Sequence, residues 1–453
     1  MHFKTYCKVL SIFLASISFL SCVQKEAEDN PRNIYESGIY AYYKKDYTLF
    51  LERLKKAQTL APDNPKVIYN LARAFAVNGN QSAAIDYLRK AVSVGYYIDP
   101  AHNSDFVSIK NTESFKDIQR EIEKKKVKIN NSKVAFKVPE KDLIPESIAY
   151  DPATETFYLG SVHKRKIISI TNKGEINNFT KEIQDGLWSV IGIKVDARRR
   201  VLWVNSGATF AMKGLKNKHY GLTGVFKYNL ENGKLIKKYL VDERPALHLF
   251  NGLVLNSRGD VFITDSLFGA VYTITAKNDK LELFLKPSQF TYPNGITLSN
   301  DEQYLYVSHT EGTSLINVNT KSCYSLTPPK NVNLCLIDGL YFHNNSLIAI
   351  QNDNWHRRVV RFFLSKNLKS SDKKNSNDLT QKNHSLQDDV PFQVERAKIL
   401  ESGNSLFNVP TTGVIVGDMF YYIANSQINQ FDHIGKYFPM DKLRPIIILK
   451  VKL

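Results

Sequence analysis

The chain has 453 residues, with 61 Lys plus Arg against 44 Asp plus Glu, a formal charge of +17. Hydrophobic residues make up 43% and the mean hydropathy is −0.30, which excludes a largely disordered chain and a polytopic membrane protein. Four Cys exclude a disulfide scaffold, and the absence of a CxxC pair or Cys/His cluster removes the usual zinc patterns. The length allows about three domains, or one large β unit with a small companion. Lys and Asn are spread along the whole chain with no basic stripe interleaved with aromatics. The charge is therefore read as a Lys/Asn-rich surface suited to anionic lipid headgroups, and no nucleic-acid partner is expected.

Residues 1–21 read as a signal peptide: Lys4 and Lys8, then the apolar run Val9–Leu20, too short to span a bilayer comfortably. Leu20-Ser21-Cys22 resembles a bacterial lipobox, with Phe19 where Leu is usual. That resemblance implies cleavage before Cys22, lipidation of its thiol and a place at the bacterial cell envelope, on the periplasmic face or the cell surface. An ordinary secretory cleavage or an uncleaved anchor is the alternative. Residues 22–30 form the tether. Cys323 and Cys335 remain on the mature chain, either as a disulfide or as two buried thiols.

Residues 31–126 carry helical periodicity with a repeat of 34. Tyr35 aligns with Tyr69, Gly38 with Ala72, Leu54 with Leu88 and Ala57 with Ala91. Pro62 closes the first unit, and Asp63-Asn64-Pro65 supplies a cap and a proline to open the second. The segment resembles a pair of tetratricopeptide repeats, with Ile34 and Ile68 where the usual Trp would stand; Glu113–Lys126 reads as a capping helix. It is either a protein-binding groove or a spacer. Residues 127–133 are polar and read as a linker.

From residue 134 to 453 short β-branched and aromatic runs replace the helical pattern. One line recurs six times: an anchor residue, usually a Gly, an apolar residue, a turn and a second strand. The instances are Glu146-Ser147-Ile148, Ile191-Gly192-Ile193, Asn251-Gly252-Leu253, Asn294-Gly295-Ile296, Asp338-Gly339-Leu340 and Thr412-Gly413-Val414. Anchors stand 43 to 74 residues apart, each interval enough for a four-stranded blade. The fold expected is mainly β, a six-bladed β-propeller preceded by a small all-α helical-repeat domain. Val134–Val138 can add the outer strand of the last blade. Residues 365–389, rich in Ser, Asn, Lys and Asp, read as a disordered insertion.

Equivalent positions of a propeller converge at one end of its channel, so Glu146, Asn251, Asn294 and Asp338 should meet on the axis. Two carboxylates and two amide carbonyls form a hard-oxygen set of charge −2, suited to calcium. The run from about Leu143 to the C-terminus resembles the gluconolactonase/regucalcin family of six-bladed propellers, more distantly the paraoxonases, in Pro145-Glu146, Asn251-Gly252, Pro293-Asn294-Gly295 and Asp338-Gly339. The resemblance implies one divalent metal held by those four residues, and hydrolysis of a lactone or ester. Gly252 stands where the family commonly has Asp, and Leu249 where sugar-lactone members carry Arg, which weakens the case for a polar sugar lactone.

Asp338 is the candidate general base. Ser161, Ser206, Asp265, His309, Asn352 and Asn425, at or just past the ends of the second strands, are candidate second-layer or substrate contacts; His248 and His309 are lesser candidates for a base. Two functions stay open: a lipid-anchored, calcium-dependent lactone or ester hydrolase with a small-molecule substrate, or a non-catalytic, metal-stiffened scaffold whose helical repeats recruit a protein partner.

Overall fold

The computed structural model describes residues 31–62, 64–241, 243, 246–287, 290–329, 332–352, 357–366, 392–431 and 440–453. The signal peptide, Cys22, the tether and all but the first two residues of the 365–389 insertion lie outside the described residues.

Five helices come first: α1 (Pro31–Tyr43), α2 (Tyr47–Leu60), α3 (Pro65–Val77), α4 (Gln81–Ser93) and α5 (Glu113–Lys125). Short polar side chains start four of them by satisfying orphan N–H groups. Asp46 accepts from Leu49 N, Asn64 from Lys66 N and Val67 N, Asn80 from Ala83 N and Thr112 from Phe115 N. Gly38 lets α1 and α2 close, since a Cβ there would sit 3.1 Å from Arg53 Cβ. Leu54, Ala57, Leu88 and Ala91 are buried, as their shared register requires.

Twenty-four strands follow among the described residues, in six four-stranded antiparallel sheets. After β1 (Lys133–Val138), blade 1 contains β2 (Pro145–Asp151), β3 (Thr156–Ser161), β4 (Lys166–Ile170) and β5 (Ile176–Asn178). Blade 2 contains β6 (Ser189–Asp196), β7 (Val201–Gly207), β8 (Thr223–Asn229) and β9 (Leu235–Val241). Blade 3 contains β10 (Phe250–Leu255), β11 (Val261–Asp265), β12 (Ala270–Ile274) and β13 (Leu281–Leu285). Blade 4 contains β14 (Ile296–Leu298), β15 (Tyr304–His309), β16 (Gly312–Asn317) and β17 (Cys323–Ser325). Blade 5 contains β18 (Ile337–Phe342), β19 (Ser346–Gln351), β20 (Arg358–Lys366) and β21 (Phe392–Ser402). Blade 6 contains β22 (Gly413–Val416), β23 (Met419–Ile423) and β24 (Ile446–Lys452).

β1 pairs antiparallel with β24 as the outermost strand of blade 6, so the two ends of the β region close the ring. The architecture is the expected six-bladed propeller with an α-helical N-terminal unit. Its core lies between blades: Trp203 packs with Phe250 and Tyr272, and Trp188 against Ala149, Tyr158 and Tyr228. Cys323 is half-buried and Cys335 buried, and the two are not joined to each other.

The helical unit is docked on blade 5. Cys335 and Leu336, just before β18, belong to the same apolar cluster as Tyr96, Phe106 and Phe115, and Asn333 Nδ2 donates to Val94 O at 2.8 Å. The connection is also pinned. Glu401 Oε2 accepts from Asn131 N at 2.8 Å and Ser132 N at 2.7 Å, and Ile129 bridges to Ser402. Glu401 is fully buried, so Glu401→Gln replaces a charged acceptor by an amide and should cost about 2 kcal/mol. The thermal midpoint and protease nicking near residue 130 would both report the loss; an unchanged nicking rate would mean that the pin is dispensable.

Candidate functional site

The anchors are set apart by their backbone. The β2–β3, β6–β7, β10–β11 and β18–β19 ladders each shift register at the anchor, between Pro145 and Ser147, Val190 and Gly192, Phe250 and Leu253, and Ile337 and Leu340. A bulge takes one residue out of the pairing and re-aims its side chain. In blade 4 Asn294 precedes β14, with its N–H donating to Ser308 O at 2.9 Å. Ile144, Tyr292 and Leu336, each two residues before Glu146, Asn294 or Asp338, have φ of 48°, 54° and 58°. Bulky residues in the left-handed region cost about 1–3 kcal/mol each, and such strain concentrates at functional sites.

Hydrogen bonds link four of the blades to the next one's anchor region. Asn205 Nδ2 donates to Asn251 O at 2.8 Å, Thr264 Oγ1 to Asn294 O at 2.6 Å, Ser308 Oγ to Ile337 O at 3.0 Å and Thr412 Oγ1 to Glu146 O at 2.7 Å. The first three clamps each lie one residue before a sequence candidate: Ser206, Asp265 and His309. The anchor glycines have their reason here too. A Cβ on Gly192, Gly252 or Gly295 would fall 2.3, 2.5 or 2.6 Å from the carbonyl oxygen of Asn251, Asn294 or Asp338. The Asp that the family resemblance leads one to expect at 252 has no room.

Glu146 and Asp338 interact. Burial, and then the charge of Asp338, push the Glu146 carboxyl well above the usual carboxylate range, while a hydrogen bond from Ser426 pulls it back. Ser426 Oγ donates to Glu146 Oε1 at 2.7 Å. Asn352 Nδ2 donates to Asp338 Oδ2 at 2.6 Å. Asn251 Nδ2 reaches Ser266 Oγ at 3.2 Å, and Ser266 Oγ donates to Pro293 O at 2.6 Å, beside Asn294. Among the described residues no cluster of three or more His, Cys, Asp or Glu occurs, so a cation here would need the amides as well as the two acids.

Of the six outer candidates, Asn352 touches a candidate ligand. The other five make bonds within the propeller frame. Ser161 Oγ donates to Leu143 O and accepts from Lys164 N; Ser206 Oγ accepts from Trp188 N. Asp265 accepts from Leu249 N and Phe268 N and holds His248 Nδ1 at 2.7 Å. His309 lies between Glu311 and Ser314, and Asn425 bonds Pro445 O and Ile447 N. The residues sequence reasoning missed are Ser266 and Ser426, each one position past a candidate. Asn251 sits at the β10–β11 register shift and so reaches one residue past plain pairing, whereas Glu146 meets Ser426 across the seam between blades 1 and 6.

No family profile matches the chain, and no curated protein matches it. Similar solved structures include a gluconolactonase from Xanthomonas campestris, at 12% identity over 72% of this chain and 91% of that one, TM-score 0.43. A virginiamycin B lyase from Staphylococcus aureus is 13% identical over 71% of this chain and 99% of its own, TM-score 0.45. A luciferin-regenerating enzyme is 12% identical over 71% and 95%, TM-score 0.44.

Proposed function

We propose that the mouth of the channel holds a divalent cation, calcium, through Glu146, Asn251, Asn294 and Asp338, and that the protein hydrolyses a lactone or ester there. The observation that carries this reading is the Glu146–Asp338 pair: two half-buried acids brought together, with mutual repulsion that a hard cation relieves. Bound calcium supplies Lewis acidity toward a substrate carbonyl. Asp338 accepts a proton from the attacking water, and Asn352 fixes its carboxylate by holding Oδ2. Ser426 and Ser266 orient Glu146 and Asn251. The bare backbone at Gly252 and the apolar Leu249 favour a less polar substrate than a sugar lactone.

Calcium titration calorimetry beside a panel of lactones and aryl esters tests the reading. Asp338→Ala should abolish turnover, a loss of at least ~100-fold, in a protein that still folds. Calcium binding without turnover on any substrate supports the second reading, a scaffold, which the docking of the helical unit beside the strand bearing Asp338 favours. A protein that binds no calcium ends both.

The leader supports attachment to the cell envelope through lipid on Cys22. Among the described residues no helix is long and apolar enough to cross a membrane. A palmitate analogue should label the parent protein and not Cys22→Ala; an unlabelled parent rules out the anchor.

A further inference from the structure

Below the mouth, the channel contains a lysine that the proposed reaction does not use. The inner strands of blades 2 and 5, β6 and β18, stand opposite one another in a ring of six. Lys194 leaves β6 three residues after Ile191, and its Nζ lies 5.5 Å from the centroid of the Tyr341 ring on β18. The side chain therefore crosses the axis. At the same register the other inner strands carry Ala149, Val254, Thr297, Tyr341 and Ile415, so Lys194 is the charged member of that layer.

Lys194 is half-buried, and among the described residues its Nζ makes no hydrogen bond or ion pair; its one contact of this kind is the face of Tyr341. The Tyr341 hydroxyl is itself fixed by the Gly413 N–H at 2.6 Å. Burial alone acts on the amine and lowers its pKa from 10.5 to about 8. Among the described residues, neither Glu146 on β2 nor Asp338 on β18 adds to that shift. An amine without a counter-ion, in apolar surroundings, is the setting in which lysine becomes a nucleophile near neutral pH.

We propose that Lys194 is a covalent capture site for small aldehydes entering the central channel. The Nζ lone pair attacks the carbonyl carbon and a C–N bond forms. The carbonyl oxygen then leaves as water with the two amine hydrogens, giving an imine without oxidant or reductant. Lys194 reaches the Tyr341 ring on the opposite blade, so the channel is narrow at this level, which restricts the entrant to a slim molecule. The site does not depend on calcium at the mouth.

The test is reductive alkylation of the full chain with propanal and cyanoborohydride, followed lysine by lysine by peptide mass spectrometry. At about pH 7.5, Lys194 should be modified roughly 200-fold faster than surface lysines, the ratio of their free-amine fractions. Its rate should titrate with a midpoint near 8, against a midpoint above ~10 for the others. Lys194→Met should lose that adduct and keep the far-UV spectrum; should that variant fail to fold, the site-by-site rates of the parent decide alone. Modification of Lys194 no faster than the surface average, or with a midpoint above ~10, overturns the proposal.

Discussion

In excess calcium the protein is expected to unfold at a higher temperature than in a chelator, and the gap should widen from about pH 5 to about pH 8. The sign follows from Glu146. Its carboxyl is raised in the folded protein by burial and by Asp338. Between the ordinary value of 4.5 and the raised one, the folded chain holds a proton that the unfolded chain has released. Stability of the metal-free protein therefore falls as pH climbs through that interval. Calcium needs both carboxylates ionised, so its affinity rises over the same interval. At a calcium concentration 100 times the dissociation constant the gain is about 2.7 kcal/mol. Glu146→Gln removes one charge without changing shape. It should erase the calcium gain and flatten the pH dependence in chelator, leaving the variant more stable than the parent at about pH 8 without metal. A parent whose chelated stability rises between those pH values, or a variant that keeps the calcium gain, would remove the pair from the metal site.

The blades were legible because their cause is local and repeated. An apolar pattern of period two, broken by turns and restarted by a residue-Gly pair, encodes one blade; six copies leave a radial ring as the arrangement that buries every sheet face. The helical unit was legible for the same reason, through Gly38 and the Leu54/Leu88 and Ala57/Ala91 pairs. The docking of that unit on blade 5 was not. It depends on Asn333, Cys335 and Leu336, which in sequence look like an ordinary loop and act through residues more than 200 positions away. The anchors could be found by register, whereas their partners could not be read off by simple pairing. Ser266 is displaced by one because a bulge shifts Asn251 against β11, and a bulge leaves no mark in apolar periodicity. Ser426 follows β23 of blade 6 and reaches Glu146 across the seam between blades, which pairing within one blade does not show. Lys194 was hidden differently. It occupies an inward position on a strand that otherwise reads as apolar, and its meaning depends on which blade stands across the axis.

Gly295→Ala should be among the most damaging single-methyl changes in the propeller, costing about 3 kcal/mol. Its Cβ would meet Asp338 O at 2.6 Å and Leu340 N and Cβ at 2.8 Å. Two of these atoms are backbone, so no rotamer change makes room, and β14 and β18 must move apart at the axis. The same displacement would shift Asp338 relative to Glu146. Calcium affinity should therefore fall along with the urea midpoint, although the added methyl touches no ligand side chain. Gly252→Asp sharpens the point, because it adds an acid beside Asn251, a change that on charge alone favours a cation. Its Cβ would lie 2.5 Å from Asn294 O, so the backbone clash outweighs any electrostatic gain and calcium binding should weaken. Gly174→Ala is the control: its φ of +81° makes Ala unfavourable by about 1–2 kcal/mol, but a Cβ there meets nothing within 4 Å. Urea unfolding and calcium calorimetry on the three variants separate the effects. If Gly295→Ala costs no more than Gly174→Ala, or if Gly252→Asp binds calcium more tightly than the parent, the inner strands are not in the close contact on which the position of Glu146 and Asp338 depends.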